Sequence, residues 1–411
     1  MRVLVVHNEY QQRGGEDVVV DAESTLLRNH GHDVLSYRRN NVELSQQNMF
    51  EALGTGIEAI WASKSYRELE QILMRDEPDV AHFHNTFPLI SPAAYYACSK
   101  AGVPVVQTLH NYRLACPAGM FLRNGLVCEK CLGRSVPWPG VAHACYRNSR
   151  AATSSVVAML AAHRALRTWR LRVNTYVALT EFGRKKFIES GLPAERILVK
   201  PNFVSADPGS SSSTGDYVLF VGRLAEEKGL DTLLRCWGRL GTSISLKIAG
   251  EGPLREELET LAKRSNLRNV LFLGRLSSAA VLELMRGARF LVFPSRWFEG
   301  FPLTIAEAYA SAIPVIAPRL GAMAEIVLER VTGMQFEPEN EEDLSAKIEW
   351  AWSHPEEMCR MGRNARREYE AKYTAEQNYK ALMNVYEHAQ TRNGGVSITN
   401  ARSQTSDAAE N

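Results

Sequence analysis

At 411 residues the chain is long enough for two domains, each with a core of its own. Lys and Arg total 48 against 46 Asp and Glu, a formal net charge of +2, so bulk charge gives no case for nucleic acid as a partner and leaves any basic function local. No apolar run approaches the roughly 20 residues that cross a bilayer, and the start MRVLVVHNEY lacks a leader-cleavage pattern; a cytoplasmic protein, at most peripheral at the inner face of a membrane, is expected.

In chain order, six β-branched apolar runs come first, at residues 2–7, 33–39, 79–84, 104–110, 175–180 and 197–202. After the first run, Gly14-Gly15-Glu16 sits where a strand hands over to a helix. Paired glycines there allow close approach to a phosphate or an acceptor; a plain flexible turn is the other reading. His82 and His84 share one strand face by period-2 spacing, with His82 read as packing and His84 as facing a cleft from the strand end. His110 ends the fourth run, and taken alone it reads as a packed histidine.

An insert at 112–150 interrupts the alternation. It carries Cys116, Cys128, Cys131 and Cys145, a C-x11-C-x2-C-x13-C pattern. Without an export signal this clustering favours metal ligation over disulfides, and four thiolates with one close pair suit a structural zinc. His143 is an alternative ligand, and reduced cysteines without metal are the competing reading. Cys98, Cys236 and Cys359 read as packing residues. Next, Arg147, Arg150, Arg164, Arg167, Arg170 and Arg172 gather around an apolar stretch with Trp169. Such a segment suits an anionic membrane surface or a lipid diphosphate, and equally an amphipathic helix with a solvated face.

The Gly/Ser-rich stretch within 205–216 reads as a linker. A second set of six runs follows, at residues 217–222, 245–250, 270–274, 288–295, 314–318 and 332–337. Runs such as VLVV and FLVF are apolar at every position, as in strands covered on both faces. Strand–helix alternation therefore predicts an α/β fold of two doubly wound, Rossmann-like domains, 1–204 and 217–374, facing a central cleft. Helical pattern continues to about 390, and the polar tail 391–411 is expected to be disordered.

The chemistry concentrates at strand ends of the second set. Neither GxGxxG nor GxxxxGK[ST] occurs, which removes support for a dinucleotide oxidoreductase or a P-loop hydrolase. Arg223 and Lys228, in the turn after the run YVLFVG, can clamp a diphosphate, or form a solvated charged turn. Gly250 and Gly252 let a flat or charged ligand approach the backbone, or make a simple turn. In Glu299-Gly300-Phe301-Pro302-Leu303-Thr304-Ile305-Ala306-Glu307, Pro302 predicts a helix start. Free amides from Gly300 to Thr304 can then bind phosphate, and Glu307 can accept hydrogen bonds from a ribose diol. Both carboxylates can equally satisfy the helix dipole. No Asp-x-Asp is present to hold a metal–diphosphate, so Arg223, Lys228 and the helix start are expected to stabilise the leaving group.

In this order and spacing, these segments resemble the retaining family-4 glycosyltransferases of GT-B fold, over about residues 1–390. The resemblance implies transfer of a sugar from a UDP- or GDP-sugar to a glycan or lipid-linked acceptor, in polysaccharide or glycoconjugate synthesis, with no cofactor required. It implies that Arg223 and Lys228 contact the donor diphosphate, Glu307 the ribose, and the backbone near Arg275 the base. Glu299 with the backbone of Gly300, Phe301, Pro302 and Leu303 would meet the transferred sugar and distal phosphate. His110 would hydrogen-bond that sugar, the Gly15 loop would cover the reaction centre, and a helix at 375–390 would return to the first domain. A nucleotide-sugar epimerase of this architecture and a non-catalytic nucleotide-sugar sensor are the rival readings; a phosphorylase lacks a recognisable pyridoxal lysine.

Overall fold

A computed structural model describes residues 1–44, 56–210 and 215–394. Twelve strands form two six-stranded sheets, one from each set of apolar runs. The first holds β1 (Arg2–Glu9), β2 (Asp33–Asn40), β3 (Val80–Asn85), β4 (Val105–Leu109), β5 (Thr175–Ala178) and β6 (Ile197–Val199), in the order β2-β1-β3-β4-β5-β6. The second holds β7 (Tyr217–Val221), β8 (Ser245–Ala249), β9 (Val270–Gly274), β10 (Phe290–Val292), β11 (Val315–Pro318) and β12 (Gly333–Phe336), in the order β9-β8-β7-β10-β11-β12. Neighbouring strands in both sheets pair in parallel, with registers such as Arg2↔Asp33 and Leu246↔Val218. Leu4, Val6, Val218, Leu219 and Leu291 are wholly buried, as strands with helices on both faces must be. The tenth strand is shorter than the run 288–295 suggests, because Pro294 has no N–H to continue the ladder.

In each sheet the chain order reverses direction once, between β1 and β3 and between β7 and β10. Loops leaving the strand ends on either side of such a point diverge and leave a crevice, which is where α/β sheets bind ligands. The turns after β7 and β10 carry Arg223, Lys228 and Glu299, so topology alone brings these distant segments together.

The helix Ala375–Gly394 leaves the second domain and packs on the first sheet. Leu382, Val385, Tyr386 and Ala389 bury against Val3, Val5, Val80, Val106 and Val177. It runs to Gly394, past the 390 expected, because its last turn is anchored. The Arg392 guanidinium donates to the Glu195 carbonyl (2.8 Å) and the Asn393 amide to the Gly102 carbonyl (2.7 Å). Of the tail expected to be disordered, 395–411 lies outside the described residues, as does 211–214 of the linker. No helix among the described residues is long and apolar enough to cross a membrane.

Candidate active site

A cavity of about 1180 Å³ opens between the two sheets at their carboxyl ends. From the second domain it is lined by Arg223, Lys228, Gly250, Arg275, Glu299, Gly300, Phe301, Pro302 and Leu303, and from the first by Gly15, Glu16 and His110. All the sequence-predicted substrate residues except Glu307 thus meet at one surface. Glu307 lies on the helix Leu303–Ala310, four residues after Leu303 and three after Thr304, hence on their face but one turn deeper. Its carboxyl is largely buried, has no hydrogen-bond or ionic partner among the described residues, and is pushed up in pKa by that burial.

The helix begins at Leu303, with Pro302 as its cap residue and no side chain capping it. The amides of Gly300, Phe301, Leu303 and Thr304 find no acceptor among the described residues, and no acidic residue occupies the first turn. This leaves a helix start with unmet donors facing a cavity, a site that favours an anion.

Glu299 is not free to cap that helix. Its Oε1 accepts hydrogen bonds from Lys228 Nζ (2.6 Å), Ser295 Oγ (2.7 Å) and Trp297 Nε1 (2.8 Å), and the side chain is 8% exposed. Lys228 also lies near the faces of Phe293 and Trp297, at 5.4 and 5.7 Å from the ring centroids. The ammonium is thereby held at the cavity wall by one carboxylate and two aromatic faces. Arg223 and Arg275 differ from it: both are exposed and neither guanidinium has a partner among the described residues.

The reason for glycine at 250 is not the one expected. A Cβ there would sit 1.8 Å from the Gly222 carbonyl oxygen, and φ is +147°. The residue lets two ligand-facing turns pack against each other, and ligand approach to its backbone is not what demands it. At Gly300 a Cβ would lie 2.6 Å from the His110 carbonyl, so the loop before the helix Leu303–Ala310 and the end of β4 touch directly across the domain boundary. The Tyr112 hydroxyl donates to the Glu299 carbonyl (3.2 Å) at the same place.

On the first domain's wall the titratable groups are withdrawn from water. His110 Nε2 and His84 Nδ1 are 2.9 Å apart, and burial drives both imidazoles well below their ordinary pKa, with neighbouring His7, His82 and Lys200 adding to the effect. His82 sits beside them, bonded through Nδ1 to the Tyr386 hydroxyl (2.9 Å) and through Nε2 to Thr108 Oγ1 (2.8 Å); burial lowers it to about 4. Lys200 is ion-paired with Glu23 beneath them, both essentially buried.

Two adjacent acids at the start of the helix Gly15–Asn29 have opposite fates. Asp17 is buried, which resists ionisation, but hydrogen bonds from His7 (2.8 Å) and the Gly14 amide (2.7 Å) outweigh that and hold its pKa below the ordinary value. Glu16 receives only the Tyr10 hydroxyl (2.9 Å), its Oε1 is buried without a partner, and burial raises its pKa to about 7. The sequence alone assigns no role to Glu16, Glu23 or Lys200. A lysine ending the apolar run Ile197-Leu-Val-Lys200 was the available signal, since a charge in a covered strand must be paired.

Among the described residues, Glu23, His82 and His84 place their ligand atoms within 4.8 Å of one another. Lys200 already supplies the cation to Glu23, and both His82 nitrogens are bonded to the protein, so the trio is a polar core cluster. The four insert cysteines do not converge to that closeness. They are neighbours nonetheless: burial, then Cys116, Cys145 and Cys128, raise the Cys131 thiol to about 11, and its Sγ faces the Pro137 carbonyl at 3.7 Å. A shared zinc would require the sulfurs to draw together. The arginine-rich stretch is not one helix: it forms the helix Arg150–Ala165, breaks at Arg167 (φ +55°) and resumes as the short helix Thr168–Leu171, with Val156, Met159, Leu160 and Trp169 joining the first domain's core. Arg164 donates to the Leu114 carbonyl (2.7 Å) and Arg172 to Ser99 Oγ (2.7 Å), while Leu166 and Leu171 remain exposed.

Sequence profiles of two families match, Glycosyltransferase Family 4 over residues 13–207 and Glycosyl transferases group 1 over residues 206–368. The chain belongs to the GT-B glycosyltransferase superfamily. Among curated glycosyltransferases it is 33% identical to the D-rhamnosyltransferase WbpZ of Pseudomonas aeruginosa, over 39% of this chain and 42% of that one. It is 32% identical to the O-antigen chain mannosyltransferase C of Escherichia coli, over 42% of this chain and 47% of that one. The alignments thus span about half the length of these curated relatives. Among solved structures, Anabaena HepE in complex with UDP superposes with a TM-score of 0.68 at 17% identity, covering 94% of this chain and 100% of that one. That likeness establishes the fold of this chain.

Proposed function

We propose that the chain transfers a sugar from a UDP- or GDP-sugar to a hydroxyl of a glycan or lipid-linked acceptor, with retention of anomeric configuration. One observation carries the reading: Lys228, the unpaired Arg223 and Arg275, and four free amides at a helix start all face one cavity at the switch point of the second sheet. A nucleoside diphosphate matches that surface in charge and in its demand for donors. In this reading Arg223 and Lys228 receive the negative charge that develops on the leaving diphosphate, and the amides of Gly300 to Thr304 hold the distal phosphate. Glu307 takes the ribose hydroxyls from one turn deeper, the backbone at Arg275 takes the base, and Gly15 closes the loop over the centre. Glu299 and His110 meet the transferred sugar. The acceptor hydroxyl attacks the face from which the diphosphate departs, and a diphosphate oxygen takes its proton.

A panel of UDP- and GDP-sugars, assayed for nucleoside diphosphate release with a crude glycan and lipid extract, tests this. Product whose new anomeric centre keeps the donor's configuration by NMR is expected. Epimerised donor, or binding without any transfer, would replace it with one of the rival readings. Two further elements belong to the proposal. Leu166 and Leu171, exposed beside Arg167 and Arg170, support peripheral contact with an anionic membrane; salt-sensitive co-sedimentation with phosphatidylglycerol vesicles is the expected result. A zinc in the cysteine insert predicts one zinc per chain on metal analysis, lost in Cys128→Ser.

A further inference from the structure

The wall beneath His110 holds a directional chain of polar groups that the transfer reading does not use. Glu23 Oε1 is ion-paired with Lys200, while Oε2 is buried, has no hydrogen-bond partner and stands 3.8 Å from His84 Nε2. His84 Nδ1 is 2.9 Å from His110 Nε2. The two rings lie 23° from parallel with centroids 5.2 Å apart, an end-to-end arrangement along that contact. His110 Nδ1 has no partner among the described residues, is not enclosed, and belongs to a residue that lines the cavity.

The order of protons along this chain follows from electrostatics. Both imidazoles are neutral in their buried setting, so each carries one proton on one of its two nitrogens. A proton on His84 Nε2 points at the bare carboxylate oxygen of Glu23, whereas a lone pair there would face that oxygen and be repelled. With Nε2 protonated, His84 Nδ1 is an acceptor, and the 2.9 Å contact must then be filled by a proton on His110 Nε2. His110 Nδ1 is left as a lone pair toward the cavity.

We infer that Glu23 and His84 are positioning residues that fix His110 as its Nε2–H tautomer, so that His110 meets the substrate only as a hydrogen-bond acceptor, taking a hydroxyl proton of the bound sugar. The identity of that ligand rests on the donor reading above; the tautomer does not. It is an acceptor turned toward a cavity whose opposite wall supplies donors, so a sugar hydroxyl there can donate to the histidine while its oxygen accepts from the far side.

Two-bond 15N–1H NMR correlations on the full chain, 15N-labelled in histidine, test this at pH 7.5 with His110 assigned by loss of its signals in His110→Gln. A protonated Nε2 and a bare Nδ1 are expected for wild type. In His84→Gln, and in the charge-balanced pair Glu23→Gln with Lys200→Met, His110 should become a mixture of tautomers. Wild-type His110 carrying its proton on Nδ1 would overturn the inference. So would a pure Nε2–H form surviving in both variants, since that would place the cause elsewhere. Calorimetry with UDP and GDP separates the two claims: the expected tautomer without nucleotide binding would sink the donor reading alone, and nucleotide binding with the wrong tautomer would sink this one alone.

Discussion

The two walls of the cleft treat charge in opposite ways. The second domain displays it: Arg223 and Arg275 are exposed and unpaired, and Lys228 is lent to Glu299 at the cavity edge. The first domain hides it, with His84, Glu23 and Lys200 almost wholly buried and Lys200 ion-paired to Glu23. Displayed charge contributes little to the fold and is available to a ligand; hidden charge is fold first, and acts on ligands only through the protons it orders. Substitutions should therefore separate, costing function on one wall and stability on the other.

The largest effect is expected at the buried pair. Lys200→Met leaves the Glu23 carboxylate buried without a cation and should lose about 3–5 kcal/mol of stability by urea denaturation. Adding Glu23→Gln should restore most of it, because the pair's own attraction largely offsets its desolvation. Equal destabilisation in single and double variants would erase the contrast between the walls. Next comes Lys228→Ala, which should lower donor kcat/KM by more than tenfold, at least about 1.4 kcal/mol in the transition state, and leave Glu299 with only Ser295 and Trp297. Arg223→Ala should lower donor kcat/KM about tenfold without moving Tm, since it has no partner among the described residues to lose. A fall in Tm for Arg223→Ala would show that the exposed wall is structural after all.

The same contrast explains what the sequence could disclose. Strands were legible because burial on both faces writes itself as unbroken apolar runs such as Val3 to Val6. The rim of the second domain was legible because its residues stand at strand ends, in loops that topology must bring to one edge. Depth was not: Glu307 falls on the expected face but a turn below the cavity, which depends on where the helix Leu303–Ala310 starts relative to the sheet. Nor was the hidden wall. Glu23, His84, Lys200 and Tyr386 come from four separate segments, and apart from a lysine at the end of an apolar run nothing local in them announces the cluster. Gly250 was recognised as special, yet its reason is a carbonyl 28 residues earlier in the chain.

Glu16 lies between these cases, a hidden acid at the edge of the cavity, and it gives the smallest and most diagnostic effect. Burial raises its pKa to about 7 from the 4.5 of an unperturbed glutamate, with Asp17 adding to the rise and His7, the Tyr10 hydroxyl and Arg113 opposing it. Between those two values the unfolded chain has released the proton and the folded chain retains it, so the folded state binds more protons and stability falls as pH rises across that window. Above pH 7 both states are ionised at this residue and the penalty is constant. Glu16→Gln removes the titration while keeping an acceptor for the Tyr10 hydroxyl. The variant should therefore match wild type near pH 4, gain on it steadily to pH 7, and stay ahead by a constant margin at pH 8. Urea denaturation of both proteins at half-unit pH intervals reads this directly. A difference that is flat with pH, or that favours wild type at pH 8, would mean that Glu16 is ionised and paired in the folded protein, and that the first domain's wall presents negative charge to the cleft rather than concealing it.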